Sequence, residues 1–266
     1  ANASKYSYIV CEIEQDDGSY QDGQGTLTFV MDCDIVVKIT LNSTNKPELN
    51  GDYAPESPLP AGALEGVFSV SETKKVRFSK GNLWADSNNA LHFEANQYSS
   101  ASTKDASHVS HFTWSSTVSH AASSSYKGDY LFCDESHKVS VDGSDAIYYA
   151  LSKDEWEYLF NNHSYKWVTV NNVKGCVIAP DGFTGTLAES YTDDAALATD
   201  NLVFLPAAGY CNGDYVTGPG GYGYYWSSTP GGGIYACRLY FDSSSQSVFD
   251  YGRDYGCSVR AVLNEK

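Results

Sequence analysis

The scarcity of helix patterns is the feature of this sequence that most limits its fold. Residues 152–155 (SKDE) form a capping box, because the Ser hydroxyl and the Glu carboxylate can each bond free N–H groups of a first helical turn. Trp156, Leu159 and Phe160 then recur at helical spacing and predict a core-packing helix. A second short helix is predicted to begin at 192–194. The remainder predicts short strands between glycines, so we expect an α+β fold with few helices and much irregular connection.

The predicted strands are apolar or β-branched runs bounded by turn residues. In the larger part of the chain they cover 75–78, 91–94, 168–171, 175–179, 202–205, 235–241 and 259–262.

The first 65 residues differ in composition from the rest. The stretches 6–13 and 26–41 are rich in β-forming residues, whereas 42–65 holds half of the chain's 8 prolines among Asn, Ser and Gly. We therefore predict a small β-rich piece with a Pro-rich linker over 1–65 and a main domain over 66–266.

The charge balance excludes two classes of partner. Lys and Arg number 17 against 33 Asp and Glu, which gives a formal net charge of −16. Such a chain is repelled by phosphate backbones, so we predict neither a nucleic-acid partner nor attraction to an anionic membrane. No stretch approaches the roughly 18 apolar residues of a membrane span, and we predict no membrane insertion.

Tyrosines concentrate near the C-terminus, where 7 of the 21 fall within 222–257 among Gly, Ser and Asp. That mixture is typical of antibody paratopes and predicts a recognition surface, although a Tyr-rich edge strand remains an alternative. Over 235–242, strict alternation places Leu239 on one face of a strand and Arg238 and Tyr240 on the other. One face can therefore pack on the domain while the other meets solvent or a ligand.

Six sequence phrases occur in an order that resembles a known family. They are VRFSKGNL (76–83), LHFEANQY (91–98), LSKDEWEYLF (151–160), VFLPAAGY (203–210), YWSSTP (225–230) and GCSVR (256–260). The chain thereby resembles secreted C-type-lectin-fold proteins of gut bacteria and their phages. Many of these are variable proteins of diversity-generating retroelements, and they are distantly similar to formylglycine-generating (sulfatase-modifying) enzymes. The resemblance covers 66–263 and does not reach the N-terminal piece.

The resemblance implies a C-type-lectin-like main domain that acts as a non-enzymatic adhesin or receptor-recognition module. A flat, aromatic surface rather than a deep polar pocket predicts a protein or glycan surface as ligand. The resemblance also implies a location outside the cell, at the cell surface (with a lipoprotein anchor as one route) or on a virion. The positions that such proteins diversify, and that we predict as ligand-binding, are Tyr222, Tyr224, Arg238, Tyr240, Asp250, Tyr251, Gly252, Asp254, Tyr255 and Cys257.

Two other function classes stay open at this point. A structural pilus or surface subunit would polymerise through its N-terminal strands. A thiol oxidase of the formylglycine-generating type would need closely placed reactive thiols, whereas Cys237 and Cys257 are 20 residues apart.

His108 and His111, with His120 further on, match no known metal-ligand pattern. We predict no catalytic residue, no metal and no cofactor.

Overall fold

The computed structural model describes residues 59–265 except 102, 104, 106, 117–140, 143–145 and 214, together with the backbone of two earlier strands. The chain divides into two compact units, Ala1–Ser57 and Pro58–Lys266, and each is described by itself. The strand predicted over 6–13 lies outside the described residues.

The described part of the first unit is an antiparallel hairpin. Strand β1 (Gly25–Val30) pairs with β2 (Val36–Leu41), and Gly25 lies opposite Leu41. The β-rich run predicted over 26–41 is thus two strands that pair with each other rather than one extended segment.

The second unit consists mainly of short strands. Its elements, in chain order, are β3 (Phe68–Ser69), β4 (Lys75–Phe78), β5 (Leu83–Ala85), β6 (Leu91–Phe93), β7 (Tyr149–Ala150), α1 (Lys153–Asn162), β8 (Tyr165–Val170), β9 (Val173–Ile178), β10 (Ser190–Tyr191), α2 (Asp194–Ala198), β11 (Val203–Pro206), β12 (Tyr210–Asn212), β13 (Tyr215–Thr217), β14 (Gly223–Pro230), β15 (Tyr235–Phe241), β16 (Gln246–Gly252) and β17 (Ala261–Asn264).

The prediction of an α+β fold is wrong. Strands hold 41% of the structure and helices 9%, so the architecture is closer to all-β. The error arises because many strands here are two or three residues long, too short to leave an alternating pattern in the sequence. Of the predicted strands, those over 75–78 and 235–241 are confirmed at both ends as β4 and β15.

Both predicted helices are confirmed. At α1, the Ser152 hydroxyl accepts from the Glu155 N–H at 3.2 Å, and the Glu155 carboxylate accepts from the Ser152 N–H at 2.7 Å. Asp193 caps the short helix α2. Among the described residues, no helix combines the length and the apolar character needed to cross a membrane.

Several small sheets make up the second unit. Two have four strands, in the orders β3-β4-β17-β7 and β10-β8-β9-β11, and one has three, in the order β14-β15-β16. The pairs β12-β13 and β5-β6 stand as separate hairpins. Because β17 pairs with both β4 and β7, the end of the chain lies at the centre of the first sheet.

One face of the three-stranded sheet packs on the core. Helix α1 contacts β14, β15 and β16, and its Trp156 belongs to the same buried cluster as Leu239 and Phe241 of β15. The alternation predicted over 235–242 is therefore confirmed for the inward side chains. Arg238 and Tyr240 lie on the opposite face, which α1 does not cover.

Candidate functional site

Seven aromatic rings form a continuous layer on that opposite face, and we call this layer the tyrosine plate. Neighbouring rings have centroids 4.6 to 6.3 Å apart and meet mostly at tilted or edge-to-face angles, the arrangement that aromatic quadrupoles favour. Strands β14, β15 and β16 supply four of the rings, the residues flanking β14 and β16 supply two, and β12 supplies Tyr210. The rings are those of Tyr210, Tyr222, Tyr224, Tyr240, Phe249, Tyr251 and Tyr255.

Exposure differs across the tyrosine plate. Tyr222 is 42% exposed and Phe249 is 36% exposed, whereas the other five rings are half-buried. A half-buried ring leaves part of its surface in solvent while neighbours hold the rest. The tyrosine plate therefore offers apolar contact area that is already fixed in position.

Arg238 lies beneath the tyrosine plate and is only 2% exposed. Its guanidinium carbon is 3.4 Å from the Tyr251 ring centroid and 4.2 Å from that of Tyr224. The rings of Tyr210 and Phe249 are also within cation–π range. The prediction that Arg238 faces solvent is wrong, because rings from β14, β16 and the 210 region close over it.

Gly252 and Cys257, both predicted on the exposed surface, are buried as well. A Cβ at Gly252 would lie 2.6 Å from an Asp254 carboxylate oxygen, so a larger residue there would require the Asp254 side chain to move. Cys257 is 0% exposed, and its backbone pairs with Phe112. Both positions therefore belong to the support of the tyrosine plate.

The two predicted acids differ in position relative to the sheet. Asp250 lies opposite Cys237, on the α1 side and away from the tyrosine plate, where it is exposed and accepts a hydrogen bond from the Cys237 thiol at 3.0 Å. Asp254 follows β16 and is half-buried. Asp242 accepts from the Tyr240 hydroxyl and from the Ser244 backbone N–H. The Tyr240 bond lowers the pKa of Asp242 and raises the pKa of Tyr240, so the carboxylate is ionised and the phenol neutral at pH 7. This bond fixes the Tyr240 ring in one orientation.

The late cysteines are poor nucleophiles. Burial, with the Asp250 carboxylate as a second cause, raises the pKa of Cys237 to about 12. Burial also raises the pKa of Cys257. A thiol must ionise before it attacks, so neither group is activated at neutral pH. This chemistry argues against the thiol-oxidase alternative.

We expect iodoacetamide at pH 7.5 to label Cys237 and Cys257 in the folded chain at least about 10-fold more slowly than in the chain unfolded in urea, because burial suppresses the thiolate. Peptide mass spectrometry after timed labelling measures both rates. Rapid selective labelling of either thiol in the folded chain would contradict this and revive the enzyme alternative.

Two of the three histidines singled out in the sequence bond to the protein itself. His108 pairs with Glu94 at 2.7 Å and stacks on Trp84 with centroids 4.1 Å apart. His111 is buried and contacts the Ala208 carbonyl at 3.0 Å. Within the part of the chain that the structure describes, no three His, Cys, Asp or Glu side chains converge as a metal site. His120 lies outside the described residues.

Tyr210 belongs to the tyrosine plate but was not among the predicted binding residues. It is brought there by a backbone bridge between Gly209 and Gly223, which places its ring 5.0 Å from that of Tyr224. The bridge joins segments that are not adjacent in sequence, so no local sequence pattern predicts it. The resemblance leaves the assignment of Phe249 open, and the structure places its ring in the tyrosine plate.

Comparison with known proteins adds one match, to a domain of unknown function (DUF8237) over residues 188–262. That span contains every residue of the tyrosine plate. No curated protein and no solved structure matches the chain.

Proposed function

We propose that this chain is a non-enzymatic recognition module that binds a protein or glycan surface through the tyrosine plate. The observation that carries the proposal is the continuous layer of seven rings on the sheet face that α1 leaves uncovered. Aromatic anchors dominate the binding free energy at many interfaces, and Tyr supplies large contact area with few torsions to freeze.

Rigidity of the support favours this proposal. Two buried aromatic residues follow Tyr224 in β14, one on each face of the sheet. Tyr225 is 0% exposed and donates to the Pro206 carbonyl at 2.8 Å. Trp226 is 1% exposed and its indole N–H donates to the Phe112 carbonyl. Rings held by such a base lose little conformational entropy on binding, which leaves more of the contact free energy for affinity.

The location outside the cell is part of the same proposal. It is supported by the six phrases that resemble C-type-lectin-fold variable proteins, and by a composition poor in Lys and rich in Tyr, Ser and Gly. In this proposal, diversification would act at the exposed rings of the tyrosine plate. Gly252 and Cys257 would stay fixed because they are buried.

The test uses two matched double variants of the full chain. The plate variant carries Tyr222→Ser and Phe249→Ser, and the control variant carries Tyr165→Ser and Tyr235→Ser. The control rings are 44% and 47% exposed, close to the plate pair, but lie outside the tyrosine plate. Wild type and both variants are applied to arrays of immobilised glycans and of purified extracellular proteins.

We expect wild type and the control variant to bind the same array members. The plate variant should bind them about 100-fold more weakly, because two anchor rings are removed. Equal binding by the plate variant, equal loss in the control variant, or no binding to either array would contradict the proposed function.

A further inference from the structure

The guanidinium of Arg238 is a buried charge without a counter-ion among the described residues. Its Nε has no hydrogen-bond partner there, and one Nη donates to the Cys257 sulfur at 3.6 Å. Because the Cys257 pKa is raised by burial, that sulfur is a neutral thiol rather than an anion. Cation–π contacts offset part of the lost hydration, but they leave the N–H groups unused.

The other arginines nearby are not in this state. From 175 to 265 the basic residues are Arg238, Arg253 and Arg260. Arg253 donates to the Tyr235 carbonyl at 2.8 Å, and Arg260 donates to four oxygens. The guanidinium groups of Arg253 and Arg260 thus have oxygen acceptors, as buried polar groups usually do. Arg238, beneath the tyrosine plate, is the exception among these three.

The neighbouring acids are engaged elsewhere. Asp250 accepts from Cys237, and Asp242 accepts from Tyr240 and the turn that follows β15. Neither forms an ion pair with Arg238. Among the described residues, the Cys257 sulfur is the acceptor that this guanidinium reaches, and its Nε is left available to an acceptor from a ligand.

Tyr251 is one of four rings that cover Arg238. Its centroid is the nearest of the four, at 3.4 Å, and its side chain is half-buried. Tyr251 belongs to β16, an edge strand that pairs only with β15 in its sheet. Rotation of this side chain breaks no strand pair, so the sheet stays intact when the ring moves.

We propose that the partner inserts a carboxylate, from an acidic side chain of a protein, against Arg238 as Tyr251 swings aside. The inference rests on the proposed function and specifies the chemistry of its ligand. A carboxylate matches the planar donors of a guanidinium, and such charge-assisted bonds gain strength where water is excluded. The net charge of −16 repels a partner that carries many negative charges. The ligand we propose is therefore a single carboxylate on an otherwise uncharged surface.

Benzoate and benzyl alcohol test the site, because they share a ring that can lie on the tyrosine plate and differ in the carboxylate. Each is titrated into the full chain at constant ionic strength while the arginine Nε–Hε resonances are followed by NMR. We expect benzoate to bind about tenfold more tightly than benzyl alcohol and to shift the Arg238 resonance. N-acetylglutamate amide should in turn bind more tightly than glucuronate.

The variant Tyr251→Ala removes the nearest covering ring and should tighten benzoate binding about threefold, whereas Tyr165→Ala, an exposed ring outside the tyrosine plate, should leave the preference for benzoate over benzyl alcohol unchanged. Equal affinity for benzoate and benzyl alcohol, or an unshifted Arg238 resonance, would overturn the carboxylate site. Neither result bears on the array experiment, which decides the role of the tyrosine plate separately. Tighter binding of glucuronate would overturn the assignment to a protein side chain.

Discussion

The variant Arg260→Met is expected to lower the free energy of unfolding by about 3–5 kcal/mol, because it leaves buried acceptors without their donor. Arg260 is 1% exposed. Its Nε donates to the Asn82 amide oxygen at 2.9 Å, and one Nη donates to the Ser79 carbonyl at 3.1 Å. The other Nη reaches the carbonyls of Gln97 at 3.1 Å and Phe204 at 2.8 Å.

This one side chain joins β17 to segments that are distant in sequence. Burial lowers the pKa of Arg260 to about 10, so the guanidinium is still charged at neutral pH and keeps all its N–H donors for these four oxygens. Methionine restores much of the volume but supplies no donor, which isolates the hydrogen-bonding contribution.

Urea unfolding followed by tryptophan fluorescence measures the loss. The control is Arg77→Met, whose partly buried guanidinium donates to the Glu265 carboxylate with two nitrogens and to the Glu65 carbonyl with a third, and should contribute about 1–2 kcal/mol. A loss for Arg260→Met no larger than that of Arg77→Met would contradict the assigned role.

The variant Trp226→Ala is expected to lose about 3–5 kcal/mol, because it opens a large cavity in the base of the tyrosine plate. Trp226 lies in a buried cluster with Phe112, Trp114 and Val259, against which Tyr224 packs. Its indole N–H donates to the Phe112 carbonyl at 2.6 Å, so truncation also leaves that oxygen unmatched.

Trp226→Phe separates the two effects, since it keeps an aromatic ring and removes the donor. We expect an intermediate loss of about 1–3 kcal/mol for this variant. The same urea titration measures both. A loss below about 1 kcal/mol for Trp226→Ala would show that the ring does not support the sheet.

Local signals in the sequence were read correctly. The capping box at 152–155 and the apolar spacing after it define α1 because both act within a few residues. Alternation along β15 likewise places Leu239 inward, since it needs only the geometry of one strand.

Features that depend on distant segments were missed. Alternation along β15 predicts which face of the sheet Arg238 lies on. It does not predict that Arg238 is buried, because the rings that cover it, such as Tyr224 and Tyr251, belong to other strands. Cys257 is buried by its pairing with Phe112, far away along the chain. The α+β prediction failed for a related reason, because strands such as β7 and β10 exist only through their partners in the sheet.

We expect the exposed rings of the tyrosine plate to face outward for a partner and not to hold the domain together. The free energy of unfolding of the plate variant, Tyr222→Ser with Phe249→Ser, distinguishes these two roles. We predict a loss below about 2 kcal/mol, as expected for side chains with much of their surface in solvent. A loss as large as that of Trp226→Ala would mean that these rings are part of the core, and it would contradict the claim.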